Sequence, residues 1–380
     1  MDWLLCCSGC SATRAPDGLP SVCGACGQPW LVSYPARALA RADRGGLDTH
    51  YGTLRFRRFL PLGPDEQPVS LGEGGTPLLR LARTGRGLGL ERLWLKDEAA
   101  NPTGSFKARG LMMAVTRAVA AGAESFVLPT AGNAGVAASA YGARAGRRVK
   151  VFAPAATPKV IVAQMRGYGA DLELIDGHIG DCGRLAIAHA ERTGATLLAT
   201  LREPYRIEGK KTLGYEIAEQ LGWTLPDAVV YPAGGGTGLI AMWIAFRELL
   251  EAGWVAGRAP RLYAVQSAGC APVVRAVQSG MDRCEPWPDP WTIASGLRVP
   301  SPLGGALMLR AIRDTGGGAV AVSDAALAEQ ARAAAGREGV DFCPEGGATL
   351  AGAAELRARG DVRPDEQVVV LNTGAGWLYR

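Results

Sequence analysis

Histidine is scarce in this chain: three of 380 residues, His50, His178 and His189, and none accompanies a nucleophile motif. A Ser-His-Asp hydrolase is therefore not expected. Long apolar runs are missing too, since none reaches the roughly 18 residues that would span a bilayer. The opening stretch MDWLLCCSGC has no basic segment and no full apolar one, so a signal peptide is not expected and a cytoplasmic location is. Charge of one sign is likewise not in large excess. The formal net charge is +5, with Lys and Arg dispersed among Asp and Glu, so neither nucleic acid nor a membrane surface is an expected partner. No Walker A sequence, fixed-period repeat or low-complexity tract occurs, which argues against a P-loop enzyme and a solenoid.

What is present fits an ordinary globular protein: 48% hydrophobic and 20% charged residues, in a chain long enough for two or three domains. Cysteine breaks the evenness, with five of nine lying in the first 26 residues. Cys7 and Cys10 form one C-x2-C pair and Cys23 and Cys26 another, with Gly27 trailing the second. Four soft thiolates in two such knuckles suit a closed structural Zn²⁺ site, with a reduced, metal-free cluster as the alternative. Cys6 leaves the register of the first pair open by one residue. Either way this head, residues 1–35, is read as structural, because four thiolates leave no open coordination position for catalysis.

A Pro/Arg-rich connector runs from about Tyr34 to Pro68. Beyond it, short apolar runs alternate with helical patterns. Strands are predicted at Ser125–Thr130, Val149–Ala153, Leu172–Ile175, Thr196–Ala199, Ala228–Ala233, Leu262–Gln266 and Val368–Asn372. Helices are predicted at Asn133–Ala145, near 157–168, at 181–193 and from about Leu239. This alternation predicts an α/β fold of two parallel-sheet lobes, with a ligand crevice at the strand C-termini.

Four constellations carry chemistry. Asn101-Pro102-Thr103-Gly104-Ser105-Phe106-Lys107 precedes a helical pattern at Leu111, Ala114, Val115 and Ala118, with Ser105 as the expected N-cap. Lys107 then sits in the first turn, where the macrodipole disfavours its charge and helps free the amine to attack an aldehyde. Thr130-Ala131-Gly132-Asn133-Ala134-Gly135 opens a helix after a strand, and backbone amides there can cradle a carboxylate. Gly234-Gly235-Gly236-Thr237-Gly238 does the same, and consecutive glycines can wrap a phosphate. A dinucleotide fingerprint is discounted, because the next strand ends at Gln266 and not at an acid. Thr373, after the last strand, can offer a hydroxyl to a ring nitrogen. His178 and Asp181 fall in a loop that is a weaker candidate for lining the site.

In this order the four resemble the fold-type II pyridoxal-phosphate enzymes, and among them the threonine synthase family. The resemblance runs from about Leu71 to Thr373 and includes Leu71-Gly-Glu-Gly-Gly-Thr76-Pro77-Leu78, Pro204-Tyr-Arg206-Ile-Glu-Gly209 and Pro344-Glu345-Gly346. It implies pyridoxal 5'-phosphate on Lys107, with Asn133 at the cofactor's 3-oxygen, Gly234 to Gly238 at its phosphate and Thr373 at its pyridine nitrogen. It implies a small amino-acid substrate, its carboxylate held by Thr130, Ala131 and Gly132, and Arg206 at the substrate's own phosphate. The implied lobes are a larger one, 36–95 plus 203–380, and a smaller one, 96–202, in a homodimer.

The implied reaction converts O-phosphohomoserine and water to L-threonine and phosphate. Three positions depart from the family pattern: Ala134 where Thr is usual, Thr200-Leu201 for Asn-Ser, and Thr373-Gly-Ala-Gly-Trp-Leu-Tyr at the C-terminus. They keep open a serine/threonine dehydratase or β-replacement enzyme on an unphosphorylated amino acid. A non-catalytic, metal-binding regulatory protein on the same scaffold is the remote alternative.

Overall fold

The structure, a computed structural model, describes residues 3–35, 47, 51–130 and 132–380. β1 (Leu4–Cys7), β2 (Thr13–Arg14) and β3 (Trp30–Ser33) make an antiparallel sheet in the order β2-β1-β3. Next come β4 (Leu78–Arg80), α1 (Ala82–Leu88), β5 (Arg92–Asp97), α2 (Lys107–Ala120), β6 (Ser125–Pro129) and α3 (Asn133–Arg144). β7 (Arg148–Pro154), α4 (Lys159–Gly167), β8 (Asp171–Ile175), α5 (Ile179–Thr193), β9 (Thr196–Leu197) and α6 (Tyr205–Gln220) follow. The rest is β10 (Ala228–Pro232), α7 (Thr237–Glu251), β11 (Arg261–Ser267), α8 (Pro272–Gln278), α9 (Gly305–Asp314), β12 (Gly318–Val322), α10 (Asp324–Glu338), α11 (Pro344–Arg359) and β13 (Gln367–Asn372). Among the described residues, no helix is long and apolar enough to cross a membrane.

The chain divides into two units. The first holds residues 1–75, 101–212 and Arg380. Its main sheet is parallel, in the order β8-β7-β6-β9. Val127 and Phe152 on this sheet pack against Cys182 and Ala186 of α5. α5 begins where the His178 amide donates to Asp181 Oδ2 at 2.7 Å. The expected site-lining loop at these two residues is thus a helix start, with the carboxylate satisfying an N-terminal amide.

The second unit holds 76–100 and 213–379. Its sheet runs β12-β11-β10-β13-β5-β4, parallel except for the antiparallel edge strand β4. Every residue of β10 is buried, as a central parallel strand covered on both faces requires. Leu95, Val230, Val265, Val320, Leu350 and Val370 belong to one core spanning the sheet and α11.

These units differ from the expected lobes. Residues 51–75, expected with 203–380, join the first unit, where Val69 N–H donates to Thr116 Oγ1 at 2.9 Å and Tyr141 Oη to Glu73 Oε2 at 2.6 Å. Residues 203–212 join it too, held by Arg109 to Thr212 Oγ1 at 3.0 Å and by Tyr34 Oη to Glu208 at 2.7 Å. Residues 96–100 go instead with the second unit, because β5 pairs with β13 as far as Asp97. The head is part of the first unit as well, with Tyr205 Oη reaching Pro16 O and Arg117 lying over the Trp3 ring. Apolar patterning marks strands, but buried polar side chains decide which unit owns a connector.

Candidate functional site

Lys107 is the first residue of α2, as its placement ahead of an apolar helical pattern predicts. The expected cap at Ser105 is not made. Phe106 stands at the N-cap, and Ser105 Oγ and Thr103 Oγ1 are buried with no hydrogen-bond partner among the described residues. Lys107 Nζ lies 4.2 Å from the centroid of the Phe106 ring.

Thr130 closes its own loop. Its Oγ1 accepts from the amides of Gly132 at 3.0 Å and Gly135 at 3.1 Å and donates to Gly132 O. Two of the amides expected to cradle a carboxylate are therefore spent within the loop. Asn133 begins α3 directly after it. Ala131, expected beside them, lies outside the described residues.

Arg206, in the first turn of α6, is 2% exposed. Its Nη1 donates to Leu198 O at 3.1 Å and Thr200 Oγ1 at 3.4 Å, while its Nε hydrogen-bonds nothing among the described residues. Glu203 Oε1 stands 3.9 Å from that Nε, and Glu203 Oε2 accepts from the amides of Tyr205 and Arg206. Burial outweighs both the guanidinium and these amides and pushes the Glu203 carboxyl up to about 8. Burial likewise lowers the Arg206 guanidinium. Leu201, just ahead, has φ 59°, a left-handed conformation that a leucine rarely adopts.

The second unit supplies the Gly-rich loop and Thr373. Gly234, Gly235 and Gly236 follow β10, and Thr237 and Gly238 open α7. Gly236 has φ +74°, where any side chain would be strained, and a Cβ there would also come within 2.1 Å of Met308 Sδ and force that side chain to shift. Thr373 is buried at the end of β13, its Oγ1 3.8 Å from Cys343 Sγ. Asn372 fixes this strand end. Its Nδ2 donates to Asp97 Oδ1 at 2.9 Å and Asp341 O at 3.1 Å, and its Oδ1 accepts from the Cys343 amide at 3.0 Å. Sequence reasoning missed Asn372 and Cys343 as supports of Thr373; the Pro344-Glu345-Gly346 motif beside Cys343 was the available signal.

Thus Lys107, Thr130, Gly132, Asn133 and Arg206 fall in one unit, and Gly234 to Gly238 and Thr373 in the other. The donor set fits pyridoxal phosphate: an amine at a helix start for an aldehyde, a glycine-lined helix N-terminus for a phosphate, and a buried hydroxyl for a ring nitrogen. The buried hydroxyls of Thr103 and Ser105, without a hydrogen-bond partner among the described residues, are further polar groups that such a ligand could satisfy. In the head, the sulfurs of Cys7, Cys10, Cys23 and Cys26 all lie within 4.8 Å of one another, with Cys7 and not Cys6 in the group. Four thiolates 2.3 Å from a tetrahedral zinc are roughly 3.8 Å apart. The observed Cys7–Cys26 and Cys10–Cys23 separations, 3.3 and 3.7 Å, suit that ion.

Comparison with known proteins agrees. The profile of the family described as "Pyridoxal-phosphate dependent enzyme" matches residues 69–374. A threonine synthase of Methanosarcina acetivorans is 33% identical over 97% of this chain and 90% of its own. That of Mycobacterium tuberculosis is 36% identical over 84% of this chain and 86% of its own. Among solved structures, a fungal L-serine ammonia-lyase from Rhizomucor miehei superposes with a TM-score of 0.68 at 25% identity, over 81% of this chain and 95% of that one. The chain belongs to the pyridoxal-phosphate dependent enzymes, in the family of the threonine synthases.

Proposed function

We propose that this protein converts O-phosphohomoserine and water to L-threonine and inorganic phosphate. The observation that carries the reading is Arg206: a buried guanidinium whose Nε has no hydrogen-bond partner among the described residues, in a chain that a threonine synthase matches over nearly its whole length. In the reaction the Cγ–O bond breaks and phosphate leaves with the electron pair. Cβ loses one proton, Cγ gains one, and water adds its hydroxide at Cβ while its remaining proton ends on the phosphate.

Pyridoxal phosphate, when bound, supplies an aldehyde for the substrate's amino group and an electron sink for its Cα. Lys107 would hold it and move protons at the substrate's Cα and Cβ. Asn133 would face its 3-oxygen, Gly234 to Gly238 its phosphate and Thr373 its ring nitrogen. A threonine hydroxyl, unlike a carboxylate, need not keep that nitrogen protonated, which makes a mild electron sink suited to elimination. The Thr130–Gly132 turn would bound the substrate's carboxylate, with Thr130 shaping it. Arg206, oriented by Leu198 O and Thr200, would bind the departing phosphate as a charge-assisted donor. Cys7, Cys10, Cys23 and Cys26 would hold one structural zinc. The same reading takes the protein as a cytoplasmic homodimer, which cell fractionation and light scattering would test.

Purified holoenzyme is expected to release phosphate from O-phosphohomoserine in step with threonine. Lys107→Ala is expected to lose at least about a thousandfold in turnover, together with the cofactor's absorption band. A dehydratase or β-replacement reading draws on Ala134 and Leu201 and on the likeness to an L-serine ammonia-lyase. Release of 2-oxo acid from L-threonine or L-serine, with O-phosphohomoserine untouched, would establish that reading instead.

A further inference from the structure

Near Thr373 the second unit carries a buried acid that the proposed roles leave unused. Glu345 stands in the first turn of α11 and is 3% exposed. Its Oε1 accepts from the Gly296 amide at 2.7 Å, while its Oε2 is buried with no hydrogen-bond partner among the described residues. A Cβ added at Gly234 would overlap Gly296 O, so the residue that Glu345 holds lies against the first glycine of the Gly-rich loop. A buried carboxylate with a spare oxygen is costly unless a donor reaches it.

Cys343 links Glu345 to Thr373. It is the N-cap of α11, two residues ahead of Glu345, and is fully buried. Its Sγ accepts from the Gly346 amide at 3.3 Å and lies 3.8 Å from Thr373 Oγ1, within hydrogen-bond reach for sulfur. Burial, and after it the Glu345 charge, push the thiol well above its ordinary value, so it keeps its proton. The Gly346 amide and the Thr373 hydroxyl act the other way, as donors to sulfur do. A thiol has one proton to give. With Gly346 and Thr373 both feeding the sulfur, that proton is left for the carboxylate. The Thr373 hydroxyl, its own proton committed to sulfur, then has only lone pairs to offer a ring nitrogen, and a lone pair there calls for an N–H.

We propose that Glu345 is a positioning residue for the cofactor ring: through Cys343 it turns the Thr373 hydroxyl into an acceptor and so keeps the ring nitrogen protonated. This rests on the reading that Thr373 faces that nitrogen. Thr373 alone would leave the ring a mild electron sink; a carboxylate at the far end of the chain strengthens it. The proposed reaction has a use for that strength, because it removes a proton from Cβ as well as from Cα. Loss of water from serine or threonine needs only the Cα proton.

The test uses holoenzyme loaded with pyridoxal phosphate carrying ¹⁵N in the ring, whose nuclear magnetic resonance signal separates a protonated nitrogen from a neutral one. The wild type is expected in the protonated range. Glu345→Gln and Cys343→Ala are expected to shift the signal to the neutral range with the cofactor still bound. Cys343→Ser, which can pass on the same hydrogen bond, is expected to stay with the wild type. In turnover of O-phosphohomoserine, Glu345→Gln is expected to lose about tenfold or more in kcat, with a smaller change in KM. A neutral ring in the wild type would overturn the proposal, and that reading needs no variant to fold. So would a signal that holds in Glu345→Gln while Thr373→Val moves it. A signal that Thr373→Val leaves in place would remove Thr373 from the ring nitrogen, and this inference would fall with that reading. Because the signal is read without substrate, it judges Glu345 whether or not O-phosphohomoserine is turned over.

Discussion

Glu203 shows how a single buried carboxyl writes pH dependence into the fold. Unfolded, it gives up its proton near the ordinary value of 4.5; folded, it keeps it to about 8, because burial exceeds what Arg206 and two amides return. Between those limits the folded protein binds more protons than the unfolded one, so its contribution to stability falls as pH rises through about 8. Urea midpoints at pH 6 and pH 9 should therefore drop more for the wild type than for Glu203→Gln, which cannot ionise; equal drops would refute the assignment. At this scale sequence was a partial guide. The place of Lys107 at a helix start was legible because an apolar helical pattern follows it, and that of Thr373 at a strand end because an apolar run precedes it. Ser105 misled, because a serine just ahead of an apolar helical pattern reads as a cap, whereas the helix starts one residue too late for it and its hydroxyl is buried without a partner among the described residues. The contacts of Asn372 and Glu203 were not legible, since each depends on partners brought close only by the fold.

Elements read from sequence in proportion to how plainly apolar they are. β10, β11 and β13 are near-continuous apolar runs and fall within a residue or two of their predicted bounds. β5 was missed, although it too is interior, because Lys96 and Asp97 look like surface or chemistry. Lys96 is in fact wholly buried, its Nζ donating to Glu216 at 2.8 Å, Gln220 at 2.8 Å and Thr76 O at 2.7 Å. A satisfied buried amine is possible only in a finished fold, and hydropathy cannot anticipate it. The strand beside it tolerates no such liberty. Leu371→Ala in β13, a fully buried position, is expected to cost about 2–5 kcal/mol in urea unfolding. A loss under about 1 kcal/mol would mean that the sheet closes around the gap.

For the whole molecule, the head is the part most exposed to chemical manipulation. A structural zinc on four thiolates would make the head's folding depend on the metal, so chelation or Cys23→Ser is expected to remove about one zinc per chain and unfold it. Because Tyr34 and Trp3 pack on α6 and α2 through Glu208 and Arg117, the thermal midpoint of the remainder should fall too. Metal analysis and calorimetry together check both, and an unchanged midpoint after zinc loss would make the head a passenger. The α/β alternation was legible at this scale, but unit ownership was not, since connectors are tied in by polar contacts such as Val69 to Thr116. The order of strands has a consequence in time. β13 sits between β10 and β5, so the second unit's sheet lacks its middle until synthesis has passed Asn372. Until then the sides of β5 and β10 that β13 pairs lack their partner, and a chain cut short before Gln367 would leave both as open sheet edges.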